Sequence, residues 1–160
     1  MGLHNTKIDI AKGKREKIVG ILNARLADAI DLKSQAKQAH WNVKGMNFIA
    51  LHELFDQVST EVETHIDDIA ERVTTLGGTA LGTVRVAAQN STLSEYPLEI
   101  TDGAAHVDAL STALADFGKK VRADIDETDG LGDADTADLF TGISRSIDKL
   151  LWFVEAHQQA

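Results

Sequence analysis

The sequence predicts an all-α fold, a single domain of four long helices in a bundle with one long crossover, and three observations predict it. Only one proline, Pro97, interrupts 160 residues rich in Ala, Leu and Lys, and the β-branched and aromatic runs of a sheet are scarce. Four stretches carry apolar residues at three- and four-residue spacing, the period of a helix face. Two of the links between them are short and one is long, and 160 residues suffice for one well-buried core.

The first helix starts near Lys12 to Lys17 and runs to about Ala39, with Ile18, Leu22, Leu26, Ala29 and Ala36 on its inner face. Asn42 to Gly45 form a short connection to the second. That helix carries Phe48, Leu51, Phe55, Val58, Val62, Ile66, Ile69 and Val73 and stops at Gly77-Gly78, a strong C-terminal signal. Thr101 and Asp102 can cap the third, whose apolar positions are Val107, Leu110, Leu114, Phe117, Val121 and Ile125. The last begins near Thr136 and turns Phe140, Ile143, Ile147, Leu150, Leu151 and Val154 inward. Short links make antiparallel neighbours, whereas 77–101 is long enough to cross the length of a bundle, which is the ferritin-like connectivity. A structureless crossover of that length is disfavoured, so a short helix is expected around Ala80 to Ala88.

Composition excludes several functions. A formal net charge of −9 disfavours coating nucleic acid with the whole surface and suits cations. One local exception is the N-terminal arm, 1–12 with the turn that follows, where Lys7, Lys12, Lys14, Arg15 and Lys17 outnumber Asp9 and Glu16. The absence of cysteine rules out disulfides and thiolate metal sites, so any metal must sit on oxygen and nitrogen. No stretch resembles a signal-peptide core or a membrane span, and a cytoplasmic location with no membrane partner is expected.

The second helix carries His52, Asp56, Asp67 and Glu71, two pairs at i, i+4 spacing within one arc bordering the apolar stripe. Such spacing lets two side chains of one helix reach the same ion. Asp56 and Asp67 lie roughly 16 Å apart along the axis at helical rise, so one helix cannot close a shell from all four. Both pairs are, however, symmetric about the point between Glu61 and Val62. A second copy laid antiparallel across that point sets His52 opposite the partner helix's Glu71 position and Asp56 opposite its Asp67 position, giving two equivalent sites shared by a two-fold dimer. His40, at the end of the first helix, can fold back beside His52 as a fifth ligand. This donor set is compatible with Fe(II), Mn(II) or Zn(II), and affinity order alone favours zinc over iron. No Glu-x-x-His occurs, so a di-iron centre built inside one subunit is not expected. The same four residues otherwise form a solvated face, to which Glu63 also belongs.

Three stretches carry a family resemblance: Ala39-His40-Trp41-Asn42-Val43-Lys44-Gly45; then Phe48, Leu51-His52, Phe55-Asp56 and Ile66-Asp67-Asp68-Ile69-Ala70-Glu71-Arg72; and Ser144-Arg145-Ser146-Ile147-Asp148-Lys149-Leu150-Leu151-Trp152-Phe153-Val154-Glu155-Ala156-His157. With Leu76-Gly77-Gly78, they resemble the Dps family, the mini-ferritins also called DNA-binding proteins from starved cells. The resemblance implies a homo-dodecameric cage built from two-fold dimers, with a ferroxidase centre at each dimer interface. His40, His52 and Asp56 would come from one subunit, Asp67 and Glu71 from its partner. It further implies that Fe(II) is oxidised with hydrogen peroxide, or more slowly with dioxygen, and stored as ferric mineral, which protects DNA from oxidative damage.

Trp41 matches a family position near the iron centre, with core packing as its other reading, and Trp152 is expected in the core. His4, His65, His106 and His157 are read as ordinary. The acidic run around the last turn reads as solvated helix ends, and the resemblance implies that Asp133 and Asp138 would line the family's pore for iron entry. Family members that bind DNA do so through basic flexible termini. A DNA-compacting structural cage, associated with the nucleoid and having little ferroxidase activity, is therefore the alternative function, and a helical dimer with structural zinc or no metal is a third.

Overall fold

The structure is a computed structural model describing residues 2–159; Met1 and Ala160, the ends of the expected arm and domain, lie outside the described residues. Five helices follow in order: α1 Lys12–Asn42, α2 Phe48–Thr75, α3 Val84–Asn90, α4 Gly103–Gly130 and α5 Ala134–Glu155. Each long helix ends where its sequence provides a stop. At the end of α2, Gly77 takes φ +86°, its N–H donates to Thr74 O and the Gly78 N–H to Val73 O, which together satisfy the last carbonyls in a Schellman turn. Asp102 caps α4 by accepting from Ala105 N at 3.0 Å, and Asp133 caps α5 by accepting from Thr136 N at 3.1 Å.

Packing of α1 on α2 and of α4 on α5 makes two hairpins, and α1 against α4 with α2 against α5 closes the bundle. Lys44 N bonds Thr101 O beside the starts of α2 and α4, while Arg72 near the end of α2 reaches Asp133 beyond the end of α4. Helices α2 and α4 therefore run the same way, as the crossover requires. Nearly all the predicted inward residues are buried, with Phe55, Phe117 and Phe140 at 0% exposure anchoring one continuous apolar cluster. Phe48 departs from this, remaining 39% exposed at the first turn of α2.

The short crossover helix exists but begins four residues later than expected. Asn23 of α1 donates to Thr79 O and accepts from Leu81 N, which holds this stretch extended until Thr83. Beyond α3 the chain is tied down by a buried carboxylate. Asp28 is 0% exposed and accepts from Thr92 N at 2.6 Å and from the Thr92 hydroxyl, while Arg25 pairs with it at 2.7 Å and with Asp124 of α4 at 2.9 Å. Two carboxylates thus share one guanidinium. Burial, opposed by Arg25 and aided by Glu127 and Asp28, pushes the Asp124 carboxyl up to about 6.

The basic arm does not hang free. His4 N donates to Gly77 O at 2.7 Å, Ile8 and Ile10 pack on the core, and the buried Arg15 guanidinium donates to Ile10 O and Leu76 O. Lys12, Lys14, Arg15 and Lys17 belong to the first turns of α1. The arm seals the end of α2 closely enough that a Cβ at Gly77 would meet His4 O at 2.6 Å.

Candidate metal centre

The short turn between α1 and α2 folds the end of one helix over the start of the next, so His40 and His52 meet face to face. Their ring centroids are 3.7 Å apart with an interplanar angle of 22°. His40 Nδ1 lies 2.7 Å from the His52 carbonyl oxygen, and His52 Nδ1 lies 2.8 Å from the His40 carbonyl oxygen. A carbonyl can only accept, so both Nδ1 atoms donate, and the tautomer this fixes carries its lone pair on Nε2. This reciprocal bond fixes the tautomer in the way that supporting hydrogen bonds orient metal-binding imidazoles. Phe48 flanks the pair, its ring 5.1 Å from that of His52.

One turn further along α2, Asp56 receives the Lys37 ammonium on Oδ1 at 2.6 Å. That hydrogen bond holds the Asp56 carboxyl below the ordinary carboxylate value against the cost of burial, with the charges of Lys37, His40 and His52 acting in the same direction as the bond. Asp56 is therefore an anion at neutral pH, and its Oδ2 is outside the Lys37 bond. Lys37 also lies over the Trp41 ring, 5.7 Å from its centroid. Both tryptophans are on the surface, Trp41 at 67% exposure and Trp152 at 60%, so the core position expected for Trp152 is corrected. Trp152 stands on the outer side of α5 against Phe153 while its neighbour in the pattern, Val154, takes the buried place.

The structure thus stacks His40 on His52, sets Asp56 one turn further along α2, and leaves Asp67 and Glu71 exposed, three to four turns along the same helix. Among the described residues no three His, Asp or Glu side chains of one chain converge closely enough to hold an ion. Asp133 and Asp138 separate in role. Asp133 is 2% exposed and spends its carboxylate on Arg72 at 2.7 Å and on the Thr136 N–H and hydroxyl. It is a buried cap and the clamp between α2 and α5. Asp138 is exposed. The sequence also gave no sign that His106 is buried at 1% exposure with its Nδ1 2.7 Å from the Tyr96 hydroxyl.

A model of the ferritin-like domain matches residues 19–160. The DNA protection during starvation protein of Agrobacterium fabrum is 46% identical over 159 residues, covering 99% of this chain and 98% of the relative. This chain belongs to the Dps family of ferritin-like proteins. Solved Dps structures have its fold: DpsA14 from Streptomyces coelicolor superposes with a TM-score of 0.94 at 33% identity, over 100% of this chain and 96% of that one. A Dps protein from Vibrio cholerae O1, described as a member of a broad superfamily of ferritin-like diiron-carboxylate proteins, gives 0.90 at 23% identity over 99% of each chain, a likeness of fold alone. Membership gives the paired imidazoles a context, since Dps helices of this arrangement lie in a ferritin-like bundle. No helix among the described residues is long and apolar enough to cross a membrane.

Proposed function

We propose that this Dps protein is a ferroxidase and iron store. Ferrous iron, its substrate, binds between two subunits, on His40, His52 and Asp56 of one and at the Asp67 and Glu71 positions of the other. The reciprocal His40–His52 bonds carry this reading: they occupy both Nδ1 atoms and leave two Nε2 atoms, without a hydrogen-bond partner among the described residues, beside an ionised Asp56. The symmetric spacing along α2 supplies the remaining carboxylates once two copies cross head to tail.

Three carboxylates around two neutral imidazoles stabilise Fe(III) more than Fe(II), because each negative charge gains more from the higher cation charge. The site therefore favours loss of an electron to a bound oxidant. With two ferrous ions, hydrogen peroxide takes both electrons and two protons and leaves as two waters, and no hydroxyl radical forms. Lys37 keeps Asp56 charged before iron arrives and can be displaced from Oδ1 when a cation replaces it. Twelve subunits in a cage would enclose the ferric product, with the exposed Asp138 a candidate for the passage of iron. Fe(II) added without oxygen and then titrated with peroxide is expected to oxidise with two irons per peroxide in a particle of dodecamer mass. A stable dimer, or one iron per peroxide throughout, would contradict the proposal.

The DNA-compacting alternative relies on a free basic arm, and the pinned His4, Ile8, Ile10 and Arg15 speak for another route to DNA protection, removal of iron and peroxide together. At physiological salt the cage is expected to leave duplex DNA unretarded in a gel, with or without residues 2–10. Retardation that disappears on their deletion and falls steeply with salt would restore the alternative.

A further inference from the structure

The crossover and α4 enclose a groove of about 560 Å³ in which none of the proposed iron ligands takes part. Along α4, Ala105, Ala109 and Ala113 follow at four-residue intervals, so their methyl groups form one ridge of about 12 Å at helical rise. Asp108 and Asp116 stand on the neighbouring ridge, while Glu95 and Tyr96 line the groove from the crossover. Tyr96 is anchored there by its hydroxyl, 2.7 Å from His106 Nδ1. Gln35 of α1 is only 5% exposed and still lines the groove. Its Nε2 donates to Asp31 Oδ1 at 3.2 Å and to Ser94 O at 3.0 Å. A carboxylate and a carbonyl can only accept, so the amide nitrogen must face them. That leaves Gln35 Oε1 for the groove, open to solvent and with no donor to it among the described residues.

Alanine methyls offer a hydrated metal ion nothing, whereas a chain of methylenes gains by leaving water against them. Carboxylates and an unpartnered amide oxygen, with no Lys, Arg or His in the lining, suit a ligand that brings positive charge and N–H donors. Among the described residues neither Glu95 nor Asp108 is in an ion pair. The chain makes one contact of this kind with itself. Just beyond the groove on α4, the alkylammonium of Lys120 sits on Asp116 Oδ2 at 2.5 Å and on the Thr92 carbonyl of the crossover at 3.0 Å. We infer that the groove binds a linear aliphatic polyamine. Its methylenes lie along Ala105, Ala109 and Ala113, and its ammonium groups go to Asp108, Glu95 and Gln35 Oε1, since Lys120 already holds Asp116. A triamine of the length of spermidine covers the ridge.

Isothermal titration calorimetry of the assembled, iron-free protein with spermidine at low salt tests this, and because no iron is present the result is independent of the ferroxidase reading. One saturable site per subunit is expected. Asp108→Asn with Glu95→Gln should weaken binding about tenfold, the effect of two exposed ion pairs lost together. Ala109→Leu fills the ridge while leaving every charge in place, and should abolish the site. Both variants are expected to keep the assembly mass of the parent, since Glu95 and Asp108 are exposed and Ala109 is half-buried. Putrescine, shorter and with one ammonium fewer, should bind more weakly than spermidine. Spermidine binding that Ala109→Leu leaves unchanged, or that magnesium chloride reproduces, would mean diffuse attraction to an acidic surface and overturn the inference. Absence of saturable binding by the parent protein would overturn it as well.

Discussion

Replacing His52 and Asp56 together with alanine is expected to reduce peroxide-driven Fe(II) oxidation to the rate of free iron, with the cage still assembled. Loss of a supporting partner alone costs a metal site up to about 100-fold, and here two direct ligands leave at once, so the fall should exceed that. The bundle should tolerate the change. Neither side chain belongs to the apolar cluster, and the deletion releases Lys37, whose ammonium is already partly in water. His40 also loses its ring partner, although the His52 backbone carbonyl that holds its Nδ1 remains. Stopped-flow absorbance of the ferric product, with the assembly mass on the same sample, separates a lost centre from a lost cage. An unchanged rate would remove these residues from the centre.

The largest expected effect on stability comes from Asp28→Ala. This carboxylate is 0% exposed, holds the crossover through Thr92 and shares Arg25 with Asp124. Its loss is expected to cost about 3 kcal/mol, the lower end for breaking a buried pair, because Asp124 remains to hold the guanidinium. Denaturant unfolding followed by circular dichroism measures it. The neighbouring Asp124 gives a pH dependence of opposite sense to most acids. Its folded-state pKa near 6 lies above the ordinary value of about 3.9, so the folded state binds the extra proton between them. The stability this contributes is full below about pH 4 and is lost as the pH rises through about 6. Asp124→Asn should flatten that part of the difference curve against the parent protein; a curve unchanged between pH 4 and 6 would place the titration elsewhere.

Most of the helical frame was legible because each long helix buries one face. The period of residues such as Leu51, Phe55, Val58 and Val62 reports that face directly. The proposed centre was read for a related reason: ligands on one helix repeat at its period, and the numbering of His52, Asp56, Asp67 and Glu71 is what a two-fold axis between copies would mirror. Polar contacts between distant segments have no such signature. The Arg72–Asp133 clamp, the Arg25 pair and the Tyr96–His106 bond join residues whose proximity only the folded chain creates. Asp133 shows the consequence, since an acidic run reads as solvated until a buried arginine claims one member. The arm misled similarly: its lysines were visible in the sequence, whereas the backbone bond from His4 to Gly77 was not.

The shared centre is tested most directly by mixing two inactive variants, His52→Ala with Asp56→Ala and Asp67→Ala with Glu71→Ala, and reassembling them into one cage. Each mixed dimer then holds one centre lacking both halves and one that is intact, so random pairing should restore roughly a quarter of the parent's iron oxidation. Activity that stays at zero in verified mixed cages would mean that the two halves never meet across subunits.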